Sequence, residues 1–307
     1  MEGPTAAAGG GESKGPPRTH RTRFVCISDT HNYNVSLPKG DVLIHAGDLT
    51  NRGSYSELSK VVAWLEKADF ECKIVVAGNH DISLDDDFPY NNHNHDPESS
   101  IPLLTTSKTI TYLSHSSATI TLTSPSGPRT TFRVFGSPGS PRRSIFPSEF
   151  SAFQYIVPPE IPRADTPDVF PQPWDEVPLD TDVLITHTPA RSHLDRNDDG
   201  VHLGCEALLR TMRNVRPRLA VCGHVHPARG AEHVSWGPPG GQDEVEEWTD
   251  PAPEGKKICL VDLKGRAGGR AETCVVNCAI MTGRFPHRGH RRLNKPIIVD
   301  VELPVRE

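Results

Sequence analysis

Short, nearly unbroken apolar runs recur along this chain, each bounded by polar residues or glycine: Thr22 to Ser28, Val42 to Ala46, Lys73 to Ala77, Asp182 to Thr186 and Leu219 to Cys222. Runs of this length with no period of two read as strands buried on both faces, as parallel strands are. After the second run, Ser54-Tyr55-Ser56-Glu57 has the Ser-x-x-Glu form of a capping box, and Leu58, Val61, Val62 and Leu65 follow at helical spacing. A helix there would cover one face of a sheet. Gly204 to Met212 carries a second helical pattern that stops ahead of Pro217. Alternation of strand and helix predicts an α/β layer architecture.

Other stretches fill in the outline. Thr109 to Leu113, Ala118 to Leu122 and Thr130 to Phe135 are rich in β-branched residues and read as strands of a second sheet. Ile258 to Leu263, Cys274 to Cys278 and Pro296 to Val301 read as closing strands. Residues 82 to 100, with Asp85-Asp86-Asp87 and Asn91-Asn92-His93-Asn94-His95, read as a long polar loop, and Val157 to Pro178 as a proline-rich one. The Gly-, Pro-, Ala- and Ser-rich residues 1–20 read as a disordered leader, 21–303 as one domain, and 228–256 as a flexible insertion in it.

Composition narrows the function. A formal charge of −6 argues against a broad nucleic-acid or anionic-membrane surface. The basic cluster Gly283 to Arg292 is the feature that favours polyanions, and a solvated loop accounts for it as well. Seven scattered cysteines with no Cys-x-x-Cys pair fit a reducing compartment, and Cys26 and Cys222, inside apolar runs, read as core fillers. With no apolar stretch of ~18 residues and no apolar signal core, the expected location is the cytosol or nucleus.

The chemistry sits at the strand ends. A carboxylate at the carboxyl edge of a buried strand is costly unless paired or bound to metal, and Asp48 stands at such an edge, after Gly47. The other runs end alike: Asp29-x-His31, Gly78-Asn79-His80-Asp81, His187, and Gly223-His224-x-His226. Ligand-type residues separated by one position point to the same side of an extended chain, so each such pair can reach one ion. Any of these alone is common by chance; five in this order are not. Arg142 and Arg143, followed by Phe146, Phe150, Phe153 and Tyr155, could grip a phosphate and a base, and are the candidate substrate-binding residues.

This order of strand ends, from Phe24 to His226, resembles the calcineurin-like metallophosphoesterases. Phe24 to His31, Lys73 to His80, Val215 to Leu219 and Lys295 to Asp300 are similar to the phrasing of its metallophosphoesterase-domain-containing group. The resemblance implies a four-layer α/β/β/α sandwich of two mixed sheets. It implies that Asp29, His31, Asp48 and His226 hold one divalent ion, and that Asp48, Asn79, His187 and His224 hold a second. Asp48 would bridge the pair. Two ions ~3.5 to 4 Å apart can clamp a phosphoryl group and activate a water. Imidazole, carboxylate and amide ligands suit Mn, Fe or Zn better than Ca. His80 would face the substrate, to stabilise developing charge or protonate the leaving oxygen, and Asp81 could orient it. Relatives often carry Glu at that position, and the Trp-rich wording expected of close relatives after Gly136 is absent.

The expected activity is hydrolysis of a small phosphodiester, such as a cyclic nucleotide, through metal-activated water. The alternatives are a metal- or nucleotide-binding regulatory module with little turnover, or a nuclease or protein phosphatase on the same fold. A small phosphoester is the expected partner, with no membrane and no nucleic acid.

Overall fold

A computed structural model describes residues 18–142, 148–156, 173–238, 241–250, 259–262, 271–283 and 293–305. In chain order the elements are β1 (Thr19–Ile27), β2 (Val42–Ala46), α1 (Tyr55–Lys67), β3 (Cys72–Val76), α2 (Pro97–Thr105), β4 (Ile110–Leu113), β5 (Ser116–Thr121), β6 (Thr131–Ser137), β7 (Ser140–Arg142) and β8 (Gln154–Ile156). There follow β9 (Val183–Thr186), α3 (Glu206–Val215), β10 (Leu219–Cys222), β11 (Gly230–Ser235), β12 (Glu244–Trp248), β13 (Cys259–Asp262), β14 (Glu272–Asn277) and β15 (Ile297–Pro304).

The first sheet has the order β13-β15-β1-β2-β3-β4 and the second β12-β11-β14-β10-β9-β6-β5, with β7 and β8 as a separate pair. Inner faces of the two sheets meet in one apolar core that includes Phe24, Ile44 and Val76 from the first and Val134, Ile185 and Val221 from the second. Outside the first sheet, Leu58, Val61 and Leu65 of α1 and Leu104 of α2 pack on Val25, Leu43 and Val75. Outside the second, Leu208 and Met212 of α3 pack on Leu184, Ala220 and Val275. The result is the expected α/β/β/α sandwich. It explains why the central runs lack alternation, since both faces of each central strand are covered.

The capping box that opens α1 is formed in both directions: Ser54 Oγ accepts the Glu57 N–H at 3.4 Å and Glu57 Oε2 accepts the Ser54 N–H at 3.2 Å. Strands β1 to β4 are mutually parallel, as are β6, β9, β10 and β14. Parallel pairing brings the carboxyl ends of neighbouring strands to one rim, so the five polar strand ends of the sequence are delivered together.

Several elements differ from the sequence reading. The polar loop of residues 82 to 100 contains the start of α2, capped by the Asp96 side chain at Ser99 N–H and opened by Pro97. Pro102 inside this nine-residue helix, and the scarcity of apolar positions, hid its period. Strand β4 pairs in parallel with β3 and so belongs to the first sheet, not the second. The segment 228–256, expected as a flexible insertion, forms regular structure where it is described. It supplies β11, which pairs with β14 and buries Ala231, Glu232 and Val234, and β12 at the sheet edge. Exposed Glu244, Glu246 and Glu247 on that edge strand make it look like loop by composition, and such charges keep an edge from pairing further. Helix α3 runs on to Val215, past the expected Met212. Residues 1–17 of the leader, 157–172 of the proline-rich loop and 284–292 of the basic cluster lie outside the described residues. Among the described residues no helix is long and apolar enough to cross a membrane.

Candidate metal centre

Four of the ligand-type residues at the strand ends sit on strained backbone. Asp29 (φ 51°), His31 (φ 44°), Asp48 (φ 53°) and His224 (φ 65°) all occupy the left-handed region, which costs a non-glycine residue about 1 kcal/mol or more. A ladder of backbone bonds holds the first two loops in this state: Asp29 N–H to Gly47 O at 2.8 Å, His31 N–H to Asp48 O at 3.1 Å and Asn32 N–H to Leu49 O at 2.9 Å. Two of the preceding glycines are required by close approach. A Cβ on Gly78 would lie 2.3 Å from Asp48 Oδ1, and one on Gly223 would lie 2.2 Å from Asp29 Oδ2.

Two clusters result. Asp29, His31 and His226 form one and Asp48, His187 and His224 the other, with ligand atoms in each all within 4.8 Å of one another. His226 Nε2 lies 3.2 Å from Asp29 Oδ1. His31 Nε2 lies 3.6 Å from Asp48 Oδ2, and His187 Nε2 lies 3.4 Å from Asp48 Oδ1. The two oxygens of Asp48 thus face histidines of different clusters, as a shared carboxylate would. Asn79 Oδ1 completes the second cluster, 3.0 Å from His187 Nε2 and 2.9 Å from His224 Nδ1.

Which nitrogen each imidazole turns inward is set by backbone carbonyls. Nδ1–H of His31 donates to Thr50 O at 3.1 Å, that of His187 to Ala46 O at 3.0 Å and that of His226 to Gly283 O at 2.5 Å. Three rings held in this way direct Nε2 at the clusters, the usual orientation of metal-binding histidine. Carboxylate and imidazole lone pairs converge in both clusters, joined in the second by the Asn79 amide oxygen, so the donor set fits two divalent cations.

Electrostatics agree with that fit. Burial holds His31 down to about 4, and burial with the neighbouring His187 does the same for His224, so both rings are neutral at pH 7 and offer lone pairs. Asp29 and Asp48 are also buried, which opposes their charge, but surrounding histidines outweigh it and lower both carboxyls. Burial likewise pulls His226 down, yet its bond to Asp29 wins and raises it to about 9. His187 is raised as well: Asp48 and Asp29 overcome its burial.

His80 is half-buried beside the first cluster, its ring edge-on to His31 with centroids 5.0 Å apart. The backbone N–H of His80 donates to Asp48 Oδ1 at 2.9 Å, and its ring Nδ1 lies 3.0 Å from Asn51 O. The backbone carbonyl of Asn51 therefore orients this ring, a role the sequence reading gave to Asp81. The Asp81 carboxylate is committed elsewhere. It accepts the N–H groups of Leu49 (3.1 Å), Thr50 (2.9 Å) and Gly78 (2.8 Å) and the Thr50 hydroxyl (2.7 Å), joining the loop after Asp48 to the loop that carries Asn79. Arg142 ends β7 and is not part of either cluster, and Arg143 lies outside the described residues.

Sequence reasoning missed the carbonyls of Ala46, Thr50, Asn51 and Gly283, which carry no side-chain signal. It also missed His45, fully buried on β2, whose Nε2 is 2.9 Å from Thr30 Oγ1 between the two ligand positions Asp29 and His31. Its signal was a histidine inside an otherwise apolar run.

The family model for calcineurin-like phosphoesterases matches residues 22–228. A protein of Emericella nidulans called probable rhamnogalacturonate lyase C is 40% identical over 216 residues, which are 70% of this chain and 18% of that protein. Metallophosphoesterase domain-containing protein 1 of Homo sapiens is 34% identical over 224 residues, 68% of this chain and 62% of that protein. The UPF0046 protein K07C11.7 of Caenorhabditis elegans is 36% identical over 229 residues, 72% of this chain and 69% of that protein. The match thus spans less than two thirds of the first two relatives.

Proposed function

The chain belongs to the calcineurin-like phosphoesterase family, and from that premise we propose that it is a binuclear-metal-dependent phosphodiesterase acting on a small phosphodiester such as a cyclic nucleotide. The observation that carries this reading is the pair of buried clusters divided by Asp48, whose two oxygens face His31 and His187. Asp29, His31, Asp48 and His226 would hold one ion, and Asp48, Asn79, His187 and His224 the other. When bound, such ions polarise a phosphoryl oxygen and lower the pKa of water.

The chain's own groups do the rest. The carbonyls of Thr50, Ala46 and Gly283 fix the histidine rings before substrate arrives, so little reorganisation is needed on binding. His80, with Nδ1 held at Asn51 O, has Nε2 on the far side of the ring from that carbonyl, which supports assigning it to give a proton to the leaving oxygen. Left-handed backbone at Asp29, His31, Asp48 and His224 keeps four ligand positions in a geometry that a relaxed loop would not retain.

The test is elemental analysis of the purified protein, then turnover of bis(p-nitrophenyl) phosphate, p-nitrophenyl phosphate and cyclic nucleotides with Mn, Fe or Zn supplied. Faster hydrolysis of the diesters than of the monoester is expected. Absence of turnover of every substrate with every metal would overturn the reading.

A further inference from the structure

A cavity of about 460 Å³ lies beside the centre, with Asp85, Ser137, Gly139, Arg142, Phe153 and Tyr155 in its wall. None of the cluster residues lines it, yet its wall is bonded to the segments that carry them. Ser137 O accepts the His187 N–H at 3.1 Å, Gly139 O accepts the Thr188 hydroxyl at 2.9 Å, and Ala152, between the lining residues Ser151 and Phe153, donates its N–H to Asn79 O at 2.8 Å. The cavity therefore adjoins the second cluster, at the ends of β4 and β6, one strand outward from Asn79 and His187 in each sheet. Its size suits the organic arm of a phosphoester rather than a phosphate alone.

Arg142 is the anomaly in its wall. Among the described residues its guanidinium makes no hydrogen bond or ion pair, and its Nε is sealed from solvent. The carboxylates nearby are engaged otherwise. Asp85 accepts the N–H of Phe153 at 2.6 Å and of Asp87 at 3.2 Å, Glu176 stands 3.6 Å from His115 Nε2, and Asp87 is at the exposed rim. Sealing a guanidinium N–H without an acceptor is costly, and a guanidinium's planar fork of donors is best satisfied by an oxyanion.

Resting on the phosphoesterase reading, we propose that Arg142 is a specificity residue. It receives a second anionic group carried on the organic arm of the substrate, at a distance from the phosphorus that reacts. Substrates with such a group are held by two anchors, and those without it by the metal centre alone.

The test uses the metal-loaded full chain and two esters that differ by one phosphate: thymidine 5′-(p-nitrophenyl phosphate) and its 3′-phosphorylated analogue. Wild type is expected to prefer the analogue by about tenfold in kcat/KM, as one charge-assisted bond would give. In Arg142→Met the preference falls to about one, and Arg142→Lys restores part of it. No preference in wild type overturns the proposal. So does an equal fall on both esters in Arg142→Met, which would place the side chain on the reacting phosphate or in the fold. If neither ester turns over, the phosphoesterase reading fails, and calorimetry decides the subsite separately. Thymidine 3′,5′-bisphosphate must then bind more tightly than thymidine 5′-phosphate, with the difference lost in Arg142→Met; equal binding overturns it.

Discussion

His187 Nε2 and Asn79 Oδ1 face each other at 3.0 Å, while Nδ1 of the same ring is already spent on Ala46 O. Both facing atoms carry lone pairs, and His224 Nδ1 approaches the same amide oxygen at 2.9 Å. With the Nδ1–H of His187 given to Ala46 O, a proton or a metal ion at Nε2 makes its approach to Asn79 Oδ1 favourable. Asn79→Ala is therefore expected to lower bound metal from about two ions per chain to about one, and turnover by about 10² or more. Elemental analysis beside steady-state kinetics checks it; a variant that keeps both ions would exclude Asn79 as a ligand.

The first cluster makes a prediction about pH. Burial opposes a charge on His226, but its bond to Asp29 prevails and raises the ring from 6.5 to about 9. Folded-state pKa is above the unfolded value, so in metal-free protein this pair contributes stability that is complete below about 6.5 and lost as pH rises through about 9. Metal needs the neutral ring, so an ion entering this cluster below pH 9 must displace a proton. Thermal stability of metal-free protein should then fall from pH 7 to 9 while metal affinity rises. Calorimetry in two buffers of different ionisation enthalpy reads the proton release directly. Binding that releases no proton at pH 7 would contradict the pairing.

His80 differs from its neighbours in having Nδ1 fixed by a carbonyl while lying half-buried, outside both clusters. His80→Ala should lower turnover by about 10² to 10⁴ with metal content near that of wild type. The acid assigned to the leaving oxygen predicts that the deficit shrinks for esters of good leaving groups. Equal deficits for p-nitrophenyl and alkyl esters would remove His80 from that role.

Much of this centre is legible in the sequence because parallel strands deliver their carboxyl ends to one rim. Asp29, His31, Asp48, His187, His224 and His226 each follow an apolar run, so order along the chain translates into proximity. What sequence could not give lies in the backbone. The carbonyls that orient His31, His80, His187 and His226 belong to Thr50, Asn51, Ala46 and Gly283, and any residue supplies such a group. Likewise α2 was lost to Pro102 and its few apolar positions, and β12 to its glutamates, because charge on an edge strand imitates the composition of a loop. Adjacency in sequence does not decide where a side chain points: Asp81 adjoins His80, but the turn after Gly78 sends its carboxylate toward Leu49 and Thr50.

Asp81 therefore tests whether the centre depends on a structural pin or on a catalytic relay. Burial and the nearby Asp48 raise its carboxyl to about 6, and three backbone N–H groups and a hydroxyl hold it in the charged form above that pH. Asp81→Ala would leave the N–H groups of Leu49, Thr50 and Gly78 buried with no acceptor, a loss of about 3 kcal/mol or more. Since those bonds tie the Asp48 loop to the Asn79 loop, the variant should melt earlier and bind metal more weakly. Saturating metal should restore much of kcat, because His80 keeps its bond to Asn51 O. A relay would behave differently: the melting temperature would hold and kcat would stay low at any metal concentration. Differential scanning calorimetry and steady-state kinetics of Asp81→Ala, each with metal in excess, separate the two cases, and the hydrogen bonds around the carboxylate predict the first.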